Sequence, residues 1–238
     1  MRAATDFVTL VRSLSFTDAF NPYSDHCSTH DNPGASAKRT EALLGILTAA
    51  IARGVHSVWI GRDLGYRGGR RTGLALTDDI HVSTHAARWG VQSDRCTNGQ
   101  PVKERTAVLA WDVLGRIDLP VFLWNVFPLH PHERERPFTN RPHRPRERAA
   151  GEDILSELLL LLRPQLVVAL GDDAARSAER IAPTFAVHVR HPSYGGQTQF
   201  LRQMSDLYRL RRRDDRGGNL FNQPSETYPL NLQRGEFP

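Results

Sequence analysis

Three polar residues stand at the ends of apolar runs, and each brings a different chemical capacity. Asp63, in Gly61-Arg62-Asp63-Leu64-Gly65, follows the apolar run at 55–60. Asn125 sits near the end of Leu123-Trp124-Asn125-Val126-Phe127-Pro128, and His191 opens His191-Pro192-Ser193 after the run at 185–189. A carboxylate can stabilise positive charge and orient water, and an imidazole can donate a hydrogen bond to developing negative charge. A carboxamide offers both a donor and an acceptor. Brought together, the three groups make a candidate site that pairs charge stabilisation with recognition.

The elements that must position them alternate along the chain. Leu43, Leu47, Ala50 and Ile51 recur at helical spacing and predict a helix over 39–53, stopped by Gly54. Residues 55–60 read as a buried strand and 61–73 as a glycine- and arginine-rich loop. The pattern continues with a helix over 102–117, a strand at 121–127 and a loop rich in Pro, Arg and His at 128–146. A helix from about 148 to 162 precedes a strand at 166–170. Asp172 and Asp173 open a helix to Ile181, where carboxylates are favourable near the N-terminus. A strand at 185–189 and a helix over 197–212 complete the series. Helices between short, continuously apolar strands predict an α/β fold: a three-layer α/β/α sandwich around a central four-stranded parallel sheet. Ligands of such sheets bind outside the carboxyl ends of the strands. Asp63, Asn125, Gly171-Asp172 and His191 all fall there. The domain is expected over 38–213, between an irregular N-terminal extension (1–37) and an irregular C-terminal tail (214–238).

Composition narrows the class. The 238 residues suffice for one domain with a buried core, and the hydrophobic content of 39% is that of a globular chain. No run is long enough to span a membrane, and the N-terminal residues lack a signal-peptide layout, so a cytoplasmic location is expected. Cys27 and Cys96 are the only cysteines, too few for a four-cysteine cluster. The net charge is +5 and Lys38 and Lys103 are the only lysines, so the positive charge is almost all arginine. Arginine grips phosphate through a bidentate fork, which suits a nucleic-acid partner. A GC-rich genome would inflate arginine equally. His130, His132, Glu133 and Glu135 fit no compact ligand spacing, and no metal or other cofactor is expected.

Gly61-Arg62-Asp63-Leu64-Gly65-Tyr66-Arg67-Gly68-Gly69 resembles the first motif of the uracil-DNA glycosylase superfamily. Asn125 resembles the family's base-reading asparagine, and Val189-Arg190-His191-Pro192-Ser193-Tyr194-Gly195-Gly196 its closing His-Pro-Ser motif. The resemblance spans roughly 40–210. It implies a monomeric enzyme without cofactor that flips a base out of double-stranded DNA and cleaves its glycosidic bond. It implies Asp63 and His191 as catalytic residues, and Asn125, Leu76, Gly61 and Tyr66 at the base. It places Ser193, Gly195, Arg67, Arg70, Arg71 and Arg190 against DNA, with Arg134, Arg136, Arg141, Arg144 and Arg146 as a second phosphate track. The chain departs from the pattern at Leu64, where proline is usual, and at Leu76, where a phenylalanine stacks on uracil. The superfamily includes the Brig glycosylases, which remove α-glucosyl-hydroxymethylcytosine from phage genomes, and an altered pocket floor is compatible with such a bulky base. Uracil is the alternative target. A catalytically idle DNA-binding relative and an enzyme of free nucleosides are readings of other classes. Gly61-Arg62-Asp63 lacks the glycine spacing of dinucleotide or P-loop sites.

Overall fold

The computed structural model describes residues 2–210; the tail expected over 214–238, and the end of the helix expected to reach 212, lie outside the described residues. Four strands, β2 (Ser57–Asp63), β3 (Val121–Phe127), β5 (Leu166–Leu170) and β6 (Ala186–Val189), form a parallel sheet in the order β3-β2-β5-β6. Alternate residues of each strand face opposite sides. Val58, Ile60, Phe122, Trp124, Val126, Val167 and Ala169 join one core. Its other walls come from α1 (Arg2–Ser13), α2 (Ala35–Arg53), α4 (Val82–Arg88), α6 (Pro145–Leu162) and α7 (Asp172–Ile181). Trp59, Leu123, Val168 and Val189 join the other core, with α5 (Arg105–Leu114) and α8 (Gln197–Leu207). The architecture is thus the expected three-layer sandwich. A short α3 (Gly69–Thr72) and a two-residue pair of β1 (Ala19–Phe20) with β4 (His130–Pro131) decorate it.

The N-terminal segment departs from expectation. Residues 2–13 are helical, not irregular, and the buried Ala4, Phe7, Val8 and Val11 fall at i, i+3, i+4 and i+7. Phe7 packs on Trp124 with ring centroids 5.6 Å apart. Burying Phe7, Val8 and Val11 contributes about 1.5–3 kcal/mol each, enough to hold the helix on the sheet. The segment read as a loop over 61–73 is in part strand, because β2 runs on to Asp63, and in part α3.

Several arginines expected on DNA are interior struts. Arg71 is 6% exposed, with Nε 2.7 Å from Asp79 Oδ2 and NH2 3.1 Å from Thr97 Oγ1. Arg70 sits over the Phe20 ring, its guanidinium carbon 3.8 Å from the ring centre, and donates to His130 Nδ1 at 3.1 Å. Burial, then the charge of Arg70, holds His130 down to about 3, so the ring is neutral and Nδ1 can accept. Arg141 grips Glu147 through both guanidinium nitrogens, at 2.7 and 2.6 Å, and Arg39 is paired with Asp31 in the same buried manner. Net charge cannot separate such struts from phosphate contacts, because each buried arginine is cancelled by its own carboxylate or seated on an aromatic ring. Arg71→Met leaves Asp79 buried without its countercharge, and is expected to lower stability by about 3–5 kcal/mol. Urea denaturation measures this. The salt dependence of DNA affinity should stay unchanged, whereas loss of a phosphate contact would lower its slope by about one with stability intact.

Candidate active site

The carboxyl ends of the strands open on a cleft of roughly 600 Å³, and Asp63, Asn125 and His191 all line it. Register explains the meeting. Gly61 pairs with Asn125 and Asp63 with Phe127, so the end of β2 carries the carboxylate just beyond the amide of β3. Asn125 is 2% exposed and its Oδ1 has no hydrogen-bond partner among the described residues. A side chain at position 61 would place its Cβ 2.5 Å from that oxygen, so glycine there leaves the amide its space. A buried amide carbonyl without a partner is costly, and a ligand donor is the natural remedy. Leu76 packs beside it in the left-handed region at φ 52°.

Asp63 is held from two sides. Arg62 Nε donates to Oδ2 at 2.6 Å and His143 Nδ1 donates to Oδ1 at 2.5 Å. Arg62 is itself latched to Asp173 at 3.0 Å, at the start of α7. The carboxylate therefore has a fixed orientation, and each oxygen retains lone-pair capacity for a further donor.

His191 follows β6 and approaches β5 closely. A Cβ at Gly171 would lie 3.0 Å from that of His191, and Gly171 has φ 89°. Burial, then the charges of Arg62 and Arg190, brings its pKa down to about 4. The ring is neutral at pH 7. Nδ1 accepts from the Ser193 N–H at 3.2 Å, which leaves the proton on Nε2, a donor for the cleft.

Of the other residues expected at the site, Gly61, Leu76, Ser193 and Arg190 line the cleft. Ser193 Oγ is 3.3 Å from Thr106 Oγ1, which ties the His-Pro-Ser turn to α5. Gly195, at φ 78°, and Arg67 are exposed beside it. Tyr66 stands outside the cleft lining, because its hydroxyl turns to Arg67 Nε at 2.8 Å and its backbone N–H to Asn140. Arg70 and Arg71 are buried away from it for the reasons given above.

Sequence reasoning passed over three residues of the site. His143 comes from the loop before α6, 80 positions beyond the carboxylate it holds, and no spacing rule announces such a pair. Tyr194 is 96% exposed at φ 52°, projecting from the rim between Ser193 and Gly195. Glu104, which precedes α5, reaches the cleft under the Gly65–Gly69 loop.

Residues 61–211 match the profile of the Uracil DNA glycosylase superfamily. Among solved structures, the chain is similar to the crystal structure of wild-type SMUG2 from Pedobacter heparinus. The TM-score is 0.58 and the identity 15%, over 86% of this chain and 96% of that one. At that identity the likeness speaks for the fold. No curated protein sequence matches the chain.

Proposed function

Because the chain belongs to the uracil DNA glycosylase superfamily, we propose that it hydrolyses the N-glycosidic bond of a modified pyrimidine flipped out of DNA, leaving an abasic site. One observation carries this reading: a fixed carboxylate, a neutral imidazole donor and a buried amide oxygen with no partner among the described residues meet in one cleft. As the C1′–N1 bond breaks, its electron pair leaves with the base. Positive charge grows on the sugar and negative charge on the base carbonyl at C2. Asp63 stabilises the sugar cation and orients a water on C1′. The water oxygen bonds to C1′ and its proton passes to the carboxylate. The Nε2–H of His191 stabilises the departing base anion, which then takes a proton from solvent. Asn125 pairs with the N3–C4 edge of the base.

The target in this reading is a bulky modified cytosine such as α-glucosyl-hydroxymethylcytosine of phage DNA, and its removal serves defence. Leu76 in place of an aromatic supports the choice, as does a cleft of roughly 600 Å³, which has room beyond a bare pyrimidine ring. A panel of oligonucleotides bearing uracil, cytosine, hydroxymethylcytosine and its α-glucoside, scored for abasic sites, tests it. Release of the glucosylated base is the expected result. Release of uracil alone would make the protein a uracil-repair enzyme, overturning the choice of base and not the reaction. Binding without any release would identify an idle relative.

Tyr194 fills the gap left in the stack by the flipped base, as aromatic and apolar wedges do in other DNA-bending proteins. Stacking of this kind is worth about 1–3 kcal/mol, so Tyr194→Ala is expected to lower kcat/KM on duplex about 10- to 100-fold. Single-stranded substrate has no gap to fill and should be cleaved at nearly the wild-type rate. An equal loss on both substrates contradicts the wedge.

A further inference from the structure

The cleft extends beyond the three groups that hold the base and sugar, and its far wall is a carboxyl with no assigned task. The roles proposed above put the C2 carbonyl of a bound pyrimidine at His191, its N3–C4 edge at Asn125, and N1 with its sugar at Asp63. That placement leaves the C5–C6 edge without a partner, and Leu64, Gly65 and Leu76 line the same cleft. Gly65 presents no side chain there. Behind it stands Glu104: a Cβ at position 65 would lie 2.5 Å from Oε1, and one at Gly68 closer still to Oε2. The glycines of this loop are thus the space that the carboxyl occupies. The backbone N–H of Glu104 is anchored to Asp78 Oδ2 at 2.8 Å, which fixes where the side chain starts. Its carboxyl makes no hydrogen bond or ion pair with any other described residue.

We propose that Glu104 recognises a hydroxyl-bearing substituent on C5 of the flipped base, as in hydroxymethylated or glycosylated cytosine. This rests on the reading of the cleft as a pyrimidine glycosylase site. Glycine at 65 leaves the Glu104 carboxyl open to the cleft, where it meets the hydroxyls of the substituent. Burial, then the Asp78 carboxylate, pushes the Glu104 carboxyl up to about 7, against the pull of Arg67. Near neutrality the group is present in both forms, so it can accept from a hydroxyl or donate to one.

The test compares wild type, Glu104→Gln and Glu104→Ala on oligonucleotides carrying cytosine, 5-methylcytosine, 5-hydroxymethylcytosine and its α-glucoside, with thermal unfolding as the check on folding. Hydrogen bonds to charged groups are worth enough that Glu104→Ala should lower kcat/KM on the hydroxylated bases about 10- to 100-fold. Slow release of the bases without a hydroxyl should be unchanged. Glu104→Gln, which retains a donor and an acceptor, should recover part of the loss. Equal losses on all bases in folded variants, or no loss on any, overturn the role of Glu104 while wild-type release of hydroxylated bases leaves the reaction standing. If wild type releases no hydroxylated base, both this inference and the choice of a modified cytosine fall.

Discussion

Asp63→Asn is expected to slow base release in a single turnover about 100-fold or more, the usual scale for removing one charge-stabilising or proton-accepting group. DNA affinity should hold or rise slightly, since the change removes a negative charge from a surface that faces phosphate. A fall in kcat without loss of binding marks an interaction made in the transition state alone. The substitution is nearly isosteric, yet it cannot restore the arrangement. Two donors, Arg62 Nε and His143 Nδ1, face the carboxylate, and an amide can accept from only one side. Rapid-quench measurement of abasic sites, beside a binding titration, separates the two effects.

The second large effect is at His191. Truncation to alanine removes the Nε2 donor, and such a loss costs about 100- to 1000-fold in kcat. The protonation state gives a further check. Held at about 4 by burial and then by Arg62 and Arg190, the ring stays neutral well below its ordinary value of 6.5. A rate that depends on neutral His191 is therefore flat through about pH 6.5. The measurement belongs in a Glu104→Gln background, which removes a cleft carboxyl that burial and Asp78 push up to about 7. The same shift bears on stability. The folded-state pKa lies below the unfolded one, so between about 6.5 and 4 the unfolded chain binds the proton more readily. The native state keeps its full stability from this group above 6.5 and loses it as pH falls toward 4. Urea midpoints of wild type should drop over that window more than those of His191→Ala.

How legible this was depends on how local each signal is. The strands at 121–127 and 166–170 and the helix at 172–181 stand where the sequence puts them. Each is an apolar run, broken in the first strand only by Asn125, or an acid-opened helix, bounded by Pro120, Pro164 or Gly171. Parallel strands buried on both faces carry no alternation, and their shortness and flanking prolines identify them. The meeting of Asp63, Asn125 and His191 follows from the rule of strand ends. The N-terminal helix carried its own signal in Ala4, Phe7, Val8 and Val11, but it is a single stripe beside a turn-rich stretch. The α4 turn of helix is too short to leave one. Partnership is what sequence cannot express. Nothing local distinguishes Arg71, which is buried on Asp79, from Arg67, which is exposed, and His143 finds Asp63 only through the fold.

The most direct test of the central claim is the identity of what leaves the DNA. Wild-type protein and Asp63→Asn are incubated with duplexes containing α-glucosyl-hydroxymethylcytosine or uracil, and both free base and abasic strand are quantified by mass spectrometry. The account predicts equimolar free base and abasic site from wild type, reduced about 100-fold or more in the variant. Release at the wild-type rate by Asp63→Asn, or a cut strand with no free base, would contradict it.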